Sequence, residues 1–231
     1  MIIIKPRVIV PRDELDAGKL VRLERCARIC YKSEGRMGDD FNPQFLASIL
    51  ARGHESVIEH EKVTVLFVVD RGVSHEIVRH RIASYSQEST RYCNYSQDKF
   101  GREITVIEPF FLTDQEEAFS LWRQACQTAE DCYMKMMEKG CSPQEARSVL
   151  PNSLKTELAV TFNMREWRHF FRLRCAGPAH PQMRQVAIPL LLLFKEKFPV
   201  LFDDITYDDS FPAQHYAQVI IGDDQFRPEQ S

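Results

Sequence analysis

The stretch LKTELAVTFNM, residues Leu154 to Met164, decides the fold, because two kinds of side chain alternate along it without a break. Its even-numbered positions are apolar except for Thr156, and its odd-numbered positions are polar except for Ala159. Side chains two positions apart on a strand lie on the same face of a sheet. The pattern therefore predicts a β-strand with one buried face and one polar face.

Helical spacing begins directly after this strand. Trp167, Phe170, Phe171 and Arg174 recur every three or four residues, which places them on one face of a helix. A further helix is predicted from Pro181 to Lys197. The strand is thus followed by two helices, and the first carries an aromatic stripe that ends in an arginine.

The N-terminal part of the chain adds two extended segments and a short helix. Met1 to Val10 is typical of an extended edge segment, and Val63 to Val69 of a buried strand. Asn42-Pro43, before QFLASILAR and Gly53, supplies the N-cap, the first-turn proline and the C-terminal glycine of a helix.

Two capping boxes predict helices in the middle of the chain. Thr113-Asp-Gln-Glu116 opens a long helix to Lys139, and Ser142-Pro-Gln-Glu145 opens a short helix that presents Arg147. The apolar face of the long helix is predicted to carry Phe119, Trp122, Cys126, Ala129 and Tyr133. Strands interspersed with helices predict an α+β fold in which a mixed sheet is flanked by helices.

Length and composition favour a single domain that covers residues 1–231. The chain is 44% hydrophobic and 27% charged, as is ordinary for a globular protein. Seven cysteines without metal-ligand spacing predict reduced thiols and a cytoplasmic location. No apolar stretch is long enough to span a bilayer, and none resembles a signal peptide, so no membrane association is expected.

Charge is distributed unevenly along the chain. The net charge of −3 gives no indication of nucleic-acid binding. Three arginines against one acid lie between Arg79 and Arg91, and five against one lie between Arg165 and Arg184. The tail from position 203 to 231 carries seven acids and one arginine. Two Arg-rich segments in a nearly neutral protein favour a focused anion site.

The first Arg-rich segment is RHRIASYSQESTRY, Arg79 to Tyr92. Ser74 is predicted to cap a helix that carries EIVRHR, and SYSQEST, poor in helix formers, is predicted to be a loop. Residues two apart on a helix point about 200° apart, so Arg79 and Arg81 would serve different ligands. Guanidinium groups and hydroxyls together suit phosphate oxygens. On composition alone, a salt-bridged surface helix is an equally good interpretation.

The segment HESVIEH, His54 to His60, raises the alternative of a metal site. Its spacing differs from H-E-x-x-H, so capping or hydrogen-bonding histidines are the better interpretation. Two rival functions stay open. The histidines and carboxylates of this segment favour a metal-dependent nucleotide hydrolase, and the arginines and tyrosines from Arg79 to Tyr95 favour a nucleic-acid-binding module.

A second candidate pocket lies at the end of the alternating strand. Asn163 and Arg165 leave that strand on its polar face, so they could line one pocket with His169 and Arg174; the alternative is that all four are ordinary surface residues. The sequence has no G-x-G-x-x-G, Walker A or G-x-S-x-G motif. A bound nucleotide or flavin would therefore be held by arginine and hydroxyl contacts.

Five motifs in order resemble those of the flavin-dependent thymidylate synthases. The signature motif is Arg79-His80-Arg81, then seven residues, then Ser89-Thr90-Arg91-Tyr92. The others are GHESVIEH, ARSVLP, TFNMR with HFFRLR, and AHPQMR, so that the resemblance spans His54 to Arg184.

The resemblance implies a reaction and an assembly. It implies methylation of dUMP to dTMP, with the methylene group from 5,10-methylenetetrahydrofolate and reducing equivalents from NADPH through FAD. It also implies a homotetramer whose active sites are shared between subunits, with no cysteine nucleophile and no metal. The order of the methylene and hydride transfers is left open, as is the preference between NADPH and NADH.

The resemblance also assigns residues, with Arg174 as the catalytic cation that stabilises negative charge on the pyrimidine. The positions implied for dUMP are Glu76, Ile77, Val78, Arg79, Gln87, Glu88, Ser89, Thr90, Arg91, Arg147 and Arg174. The positions implied for FAD are His54, Ser56, Arg79, His80, Arg81, Gln87, Asn163, Arg165 and His169.

Three positions depart from the family pattern. Gln87 stands where many relatives have glutamate, so either Gln87 or Glu88 would bridge the ligands. Glu76 replaces a frequent glutamine and would need a neutralising partner, and His169 replaces an asparagine. All three residues keep hydrogen-bonding groups, so none of them contradicts the resemblance.

Overall fold

Strands and helices are interspersed along the chain, as the sequence predicts. The computed structural model describes residues 1–38, 41–98 and 101–222, so the predicted acidic tail lies outside the described residues from position 223 onward. The strands are β1 Ile2–Ile4, β2 Arg7–Pro11, β3 Lys62–Asp70, β4 Ala83–Gln87, β5 Thr105–Ile107, β6 Lys155–Asn163 and β7 Gln218–Gly222. The α-helices are α1 Gly18–Cys30, α2 Pro43–Ala51, α3 Arg71–Ile77, α4 Glu116–Glu138, α5 Pro143–Ala146, α6 Met164–Arg174, α7 Pro181–Lys197 and α8 Pro199–Phe202.

The strands form a five-stranded sheet in the order β4-β6-β3-β2-β7 and a separate parallel pair, β1-β5. β3 and β6 run antiparallel, because the hydroxyls of Thr64 and Thr161 meet at 3.0 Å while the Arg71 N–H donates to the Leu154 carbonyl. Antiparallel pairing thus occurs in the five-stranded sheet and parallel pairing in the two-stranded one, and both are combined with helices, which agrees with the predicted mixed architecture.

Two compact units divide the chain. Unit 1 consists of Met1–Arg7, Phe67–Arg79 and Ser86–Ala159. Unit 2 consists of Val8–Leu66, His80–Tyr85 and Val160–Ser231. Strands β3, β4 and β6 each contribute residues to both units. The single domain over residues 1–231 stays a prediction.

The core of unit 1 forms under the long helix α4. Cys126 and Tyr133 are buried on one face of α4 with Val106 and Leu154, and Trp122 packs against this cluster. The predicted apolar face of the helix is therefore confirmed. At the N-terminus, the amino group of Met1 pairs with the Glu130 carboxylate at 3.0 Å.

The core of unit 2 is aromatic and is centred on α6. Trp167, Phe170 and Phe171 are fully buried, and Phe194 of α7 packs against Trp167 with ring centroids 5.2 Å apart. The Trp167 indole N–H donates to the Val63 carbonyl at 3.0 Å, so the largest side chain of the core leaves no polar atom unpaired. Both helices have the bounds that the sequence predicts to within one turn. No helix in the described ranges is long and apolar enough to cross a membrane.

Strand β6 shows the alternation that its sequence predicts, since its even-numbered residues are buried and its odd-numbered residues are partly exposed. Two of the predicted caps are also confirmed. Asn42 accepts from the Phe45 N–H at the start of α2, and Glu145 accepts from the Ser142 N–H at the start of α5. A further cap is formed by Asn163, which ends β6 and accepts from the Glu166 N–H at 2.8 Å.

The prediction for the helix that carries EIVRHR is wrong in both its start and its length. Asp70, not Ser74, caps α3, because its carboxylate accepts from the Val73 N–H at 2.8 Å. Gly72 permits this close approach, since a Cβ there would lie 2.9 Å from the Asp70 carboxylate. Helix α3 ends at Ile77, so Arg79 and Arg81 do not lie on a continuous helix.

Three other local predictions are wrong because tertiary contacts override local propensity. The first four residues of the predicted loop SYSQEST belong to strand β4, which lies next to β6 in the sheet order, and the Glu88 N–H donates to the Glu157 carbonyl. The Thr113 hydroxyl donates to the Phe110 carbonyl, so the first capping box is absent and α4 begins at Glu116. β2 is not an edge strand; it lies between β3 and β7.

Candidate functional site

Unit 1 contains a pocket with two arginines. Arg147 follows helix α5, and its guanidinium donates to the Thr90 hydroxyl at 3.4 Å. The pocket has a volume of about 440 Å³. It is lined by Arg71, Thr90, Gln144, Arg147, Ser148, Leu150, Pro151 and Asn152. Two cations with hydroxyl and amide groups, and no carboxylate in the lining, give this pocket the chemistry that suits an anion.

Arg71 also lines this pocket, although the sequence analysis does not predict it as a site residue. It is the first residue of α3, and its backbone N–H donates to the Asn152 and Leu154 carbonyls at 2.9 and 3.1 Å. Its Nη1 atom is buried and has no hydrogen-bond partner within the described ranges. A buried guanidinium nitrogen that lacks an acceptor is costly, so an anionic group in the pocket would stabilise it. The one feature of the sequence that marks Arg71 is its position directly after the buried strand β3.

The predicted loop residues divide between internal contacts and the surface. The Gln87 amide donates to the Ser74 and Thr156 hydroxyls at 2.9 and 3.2 Å. The Ser89 hydroxyl accepts from the Arg91 N–H at 3.3 Å, and the Arg91 side chain is exposed. This segment therefore presents a hydroxyl and a guanidinium group beyond the end of β4.

Glu88 has partners inside unit 1. The Tyr95 hydroxyl donates to its carboxylate at 3.1 Å, and Lys155 pairs with it at 3.0 Å. Burial and the Glu88 carboxylate raise the pKa of Tyr95, so the phenol stays protonated and keeps donating. Glu88 is thus paired within the chain, as is the Gln87 amide, so which of the two residues bridges the ligands stays a prediction.

Unit 2 contains a hydrogen-bonded chain of three side chains around His80. The His80 Nδ1 atom lies 3.0 Å from a Glu166 carboxylate oxygen, and the Arg174 Nε–H donates to His80 Nε2 at 3.2 Å. His80 is 3% exposed, and its ring contacts those of Phe162, Phe170 and His169. The sequence analysis predicts Arg174 and His80 as site residues, but it does not predict Glu166.

Burial determines the protonation state of this chain. Burial, and then the charges of Arg174 and His169, lower the pKa of His80 from 6.5 to about 4, so its imidazole is neutral at pH 7. Burial also raises the pKa of Glu166 from its ordinary value of 4.5. A neutral imidazole is able to accept a hydrogen bond from Arg174 Nε–H, which a cationic one is not.

Comparisons with known proteins agree with the motifs. A family model described as thymidylate synthase complementing protein matches residues 16–200. A flavin-dependent thymidylate synthase from Geobacter sulfurreducens is 37% identical over 185 residues, covering 77% of this chain and 78% of the relative. One from Corynebacterium aurimucosum is 34% identical over 200 residues, covering 79% and 78%. This chain belongs to the flavin-dependent thymidylate synthase family.

A solved structure shares the fold of this family member. It is described as a UMP/dUMP methylase, PolB, from Streptomyces cacaoi, bound with 5-Br dUMP. The two chains superpose with a TM-score of 0.70, covering 88% of this chain and 96% of that one, at 20% sequence identity. The likeness confirms the mixed α/β architecture.

The residues implied for flavin in this family member do not all meet in one place. His169 and Arg174 lie around His80, whereas Arg165 pairs with Glu59 at 2.5 Å. Asn163 caps α6 and lines a pocket of about 430 Å³ whose other lining residues include His60 and Ser84. Of the four residues predicted to line one pocket, Asn163, Arg165, His169 and Arg174, the structure thus brings only His169 and Arg174 together, around His80.

The remaining predicted residues are mostly at the surface. The side chains of His54, Ser56, Arg79 and Arg81 are exposed. The Tyr31 hydroxyl lies 2.7 Å from His54 Nδ1. Among the positions implied for dUMP, Glu76 and Val78 are half-buried and Ile77 is fully buried, so Ile77 offers a ligand only its backbone.

The hypothesis of a metal site finds little support in this geometry. In the described part of the chain, His80, Glu166 and His169 bring ligand atoms within 4.8 Å of one another. Arg174, however, donates to His80 Nε2, and a second cation beside that guanidinium would be repelled. In the segment HESVIEH, Glu55 and Glu59 pair with Arg165.

The depressed pKa of His80 predicts a pH dependence of stability. Between pH 6.5 and about 4 the unfolded chain binds a proton at His80 that the folded protein does not. The stabilisation is complete above pH 6.5 and is lost as the pH falls through 4. It amounts to about 3 kcal/mol across this window. The groups that face His80 are Glu166, His169, Arg174 and the Tyr85 hydroxyl.

Urea unfolding from pH 4.5 to 7 measures this effect. The free energy of unfolding should rise with pH more steeply in the wild type than in His80→Gln. His60→Gln, which removes an exposed imidazole, controls for the loss of a histidine as such. Parallel curves for the wild type and His80→Gln would show that the proton is not taken up at His80.

Proposed function

We propose that this enzyme converts dUMP to dTMP, with 5,10-methylenetetrahydrofolate as carbon donor, FAD as cofactor and NADPH as source of reducing equivalents. The observation that carries the proposal is the pocket in which Arg71 and Arg147 flank Thr90. An anion pocket of this kind suits the 5′-phosphate of a nucleotide. The pocket belongs to a protein whose relatives are named flavin-dependent thymidylate synthases.

The nucleotide would be held by residues of unit 1. Arg71, Arg147 and Arg91 supply guanidinium groups to the phosphate, and Ser89 and Thr90 supply hydroxyls. Gln87 and Glu88 are also proposed for dUMP; the Gln87 amide nitrogen donates to Ser74 and Thr156, which leaves its carbonyl oxygen as an acceptor, and Glu88 pairs with Lys155 and Tyr95. The other positions proposed for dUMP are Glu76, Ile77, Val78 and Arg79.

Arg174 is proposed as the catalytic cation. A fixed guanidinium stabilises negative charge that develops on the pyrimidine around N3, and this charge makes the C5 atom more nucleophilic toward the incoming one-carbon unit. Neighbouring residues of Arg174 favour this role. His80 holds its Nε–H, and Phe170 and Phe171 on the same helix are fully buried, which lowers the local dielectric constant.

The residues implied for FAD suit a flavin dinucleotide by their chemistry. Arg79 and Arg81 present exposed guanidinium groups of the kind that bind a diphosphate, and His169 presents an exposed ring edge. We propose that these residues, with His54, Ser56, His80, Gln87, Asn163 and Arg165, hold the cofactor. A flavin bound there would supply the redox chemistry by which the reducing equivalents of NADPH reach the one-carbon unit.

No cysteine nucleophile is needed in this proposal. Burial raises the pKa of the Cys126 and Cys175 thiols, which keeps them protonated and unreactive. Cys93 is half-buried just beyond the Ser89–Tyr92 segment, and the family pattern gives it no role. Ser89 is a phosphate ligand here and not a nucleophile.

The enzyme is proposed to act as a cytoplasmic homotetramer whose active sites are shared between subunits, with no nucleic-acid or membrane partner and no metal. Large exposed apolar side chains support subunit contacts, since Ile82, Tyr92 and Leu121 are each about two-thirds or more exposed. The whole chain, 1–231, is proposed to form a single domain.

Replacing Arg174 tests the proposed chemistry. Arg174→Ala should retain bound flavin and lose dTMP formation by at least about 10²-fold at saturating substrates, because one transition-state donor is removed. Arg172→Ala is the matched control, since Arg172 lies on the same helix and pairs with Glu55 and Asp204. If Arg174→Ala forms dTMP at the wild-type rate, Arg174 does not have the catalytic role proposed here.

Replacing Arg71 tests the phosphate pocket. Arg71→Met should raise the KM for dUMP about tenfold or more, because a charge-assisted hydrogen bond is lost, and should leave flavin binding unchanged. Arg123→Met, at an exposed position of α4, is the control. An unchanged KM in steady-state kinetics would mean that the phosphate lies elsewhere.

A further inference from the structure

Glu166 has no part in the proposed reaction, yet it contacts the histidine that holds the proposed catalytic arginine. It lies in the first turn of α6, is 7% exposed, and reaches His80 Nδ1 at 3.0 Å. Its own backbone N–H is held by the Asn163 side chain at 2.8 Å. The carboxylate is therefore supported by a helix whose start is capped three residues earlier.

The direction of the hydrogen bonds determines the tautomer of His80. Arg174 Nε always carries a hydrogen, and it donates to His80 Nε2 at 3.2 Å. Nε2 therefore carries no hydrogen, so in the neutral ring the hydrogen lies on Nδ1. The Nδ1–H in turn donates to Glu166. The three side chains therefore form a hydrogen-bonded chain: Arg174 donates to His80 Nε2, and His80 Nδ1 donates to the Glu166 carboxylate.

Without the carboxylate, the other tautomer would become accessible. In that tautomer His80 presents Nε2–H to Arg174 Nε–H, and two donors that face each other form no hydrogen bond. Phe162 and Phe170, which pack against the His80 ring, offer no acceptor that could replace Glu166 at Nδ1. The hydrogen bond by which His80 orients the Arg174 Nε–H would then be lost.

We propose that Glu166 is a positioning residue for Arg174: by holding the hydrogen on His80 Nδ1, it keeps Nε2 as the acceptor that orients the guanidinium. The consequence for turnover rests on the proposed function, since it requires that Arg174 act on the substrate. The consequence for hydrogen bonding does not.

The tautomer is measured on the wild-type protein, with no turnover required. Protein labelled with [15N]histidine and [15N]arginine is examined by ¹H–¹⁵N NMR at pH 7, with long-range correlations for the imidazole. The His80 and Arg174 signals are identified by their loss in His80→Gln and Arg174→Ala. A hydrogen on Nδ1 is expected. A hydrogen on Nε2, or a doubly protonated ring, would overturn the proposal.

Two substitutions separate hydrogen bonding from packing. Glu166→Gln retains an oxygen that accepts from Nδ1–H, so the tautomer should persist and kcat should stay within about tenfold of the wild type. Glu166→Leu has a similar volume but no acceptor. It should shift the Arg174 Nε–H signal and lower kcat by about 10²-fold, because a misplaced catalytic group is inefficient. All rates are compared per mole of bound flavin.

Glu24→Leu is the matched control. Glu24 is also a fully buried carboxylate, and it pairs with Arg28 on α1 at 2.7 Å. Its loss should cost stability but leave the His80 tautomer and kcat unchanged. A Glu166→Leu variant with the stability loss of Glu24→Leu and a wild-type kcat would show that Glu166 is merely structural.

The two proposals fail in different ways. If the wild type forms no dTMP, the proposed function fails, while the His80 tautomer and the Arg174 Nε–H signal still decide the role of Glu166. If the wild type forms dTMP but His80 carries its hydrogen on Nε2, the positioning role fails alone. If Glu166→Leu does not fold, the tautomers of the wild type and of Glu166→Gln decide between the two outcomes.

Discussion

The direct junction of β6 and α6 is the constraint on which the candidate catalytic residues of unit 2 depend. Asn163 ends the strand and caps the helix, so no loop separates the two elements. Helical periodicity then sets the angular positions of Glu166, His169 and Arg174, while Trp167 and Phe171 anchor the helix in the core. A displacement of this helix would move the whole hydrogen-bonded chain around His80.

Much of the fold could be predicted because side-chain period and burial agree. The alternation in β6 and the helical stripe in α6 each bury their apolar residues, and in such segments pattern determines the element. Predictions that rest on single polar residues are less successful. Asp70 displaces Ser74 as the cap of α3, and β4 replaces a loop because of its place next to β6, which local propensity does not encode.

The candidate site could be predicted where family motifs mark it and not beyond them. Arg147, Thr90, His80 and Arg174 lie in motifs, and the structure joins them in pairs at 3.4 and 3.2 Å. Arg71 and Glu166 escape prediction, because a charged residue beside a buried element has no distinctive spacing. Their significance comes from three-dimensional facts, an unsatisfied buried guanidinium nitrogen and a carboxylate 3.0 Å from an imidazole.

The binding of flavin and nucleotide by this protein is measured by its visible absorption spectrum directly after purification, recorded again after addition of dUMP. We expect a yellow protein whose flavin bands shift when dUMP is added, because the proposed active site holds both molecules. A colourless protein that also fails to take up added FAD would contradict the account, and metal analysis for a nucleotide hydrolase would then be the next step.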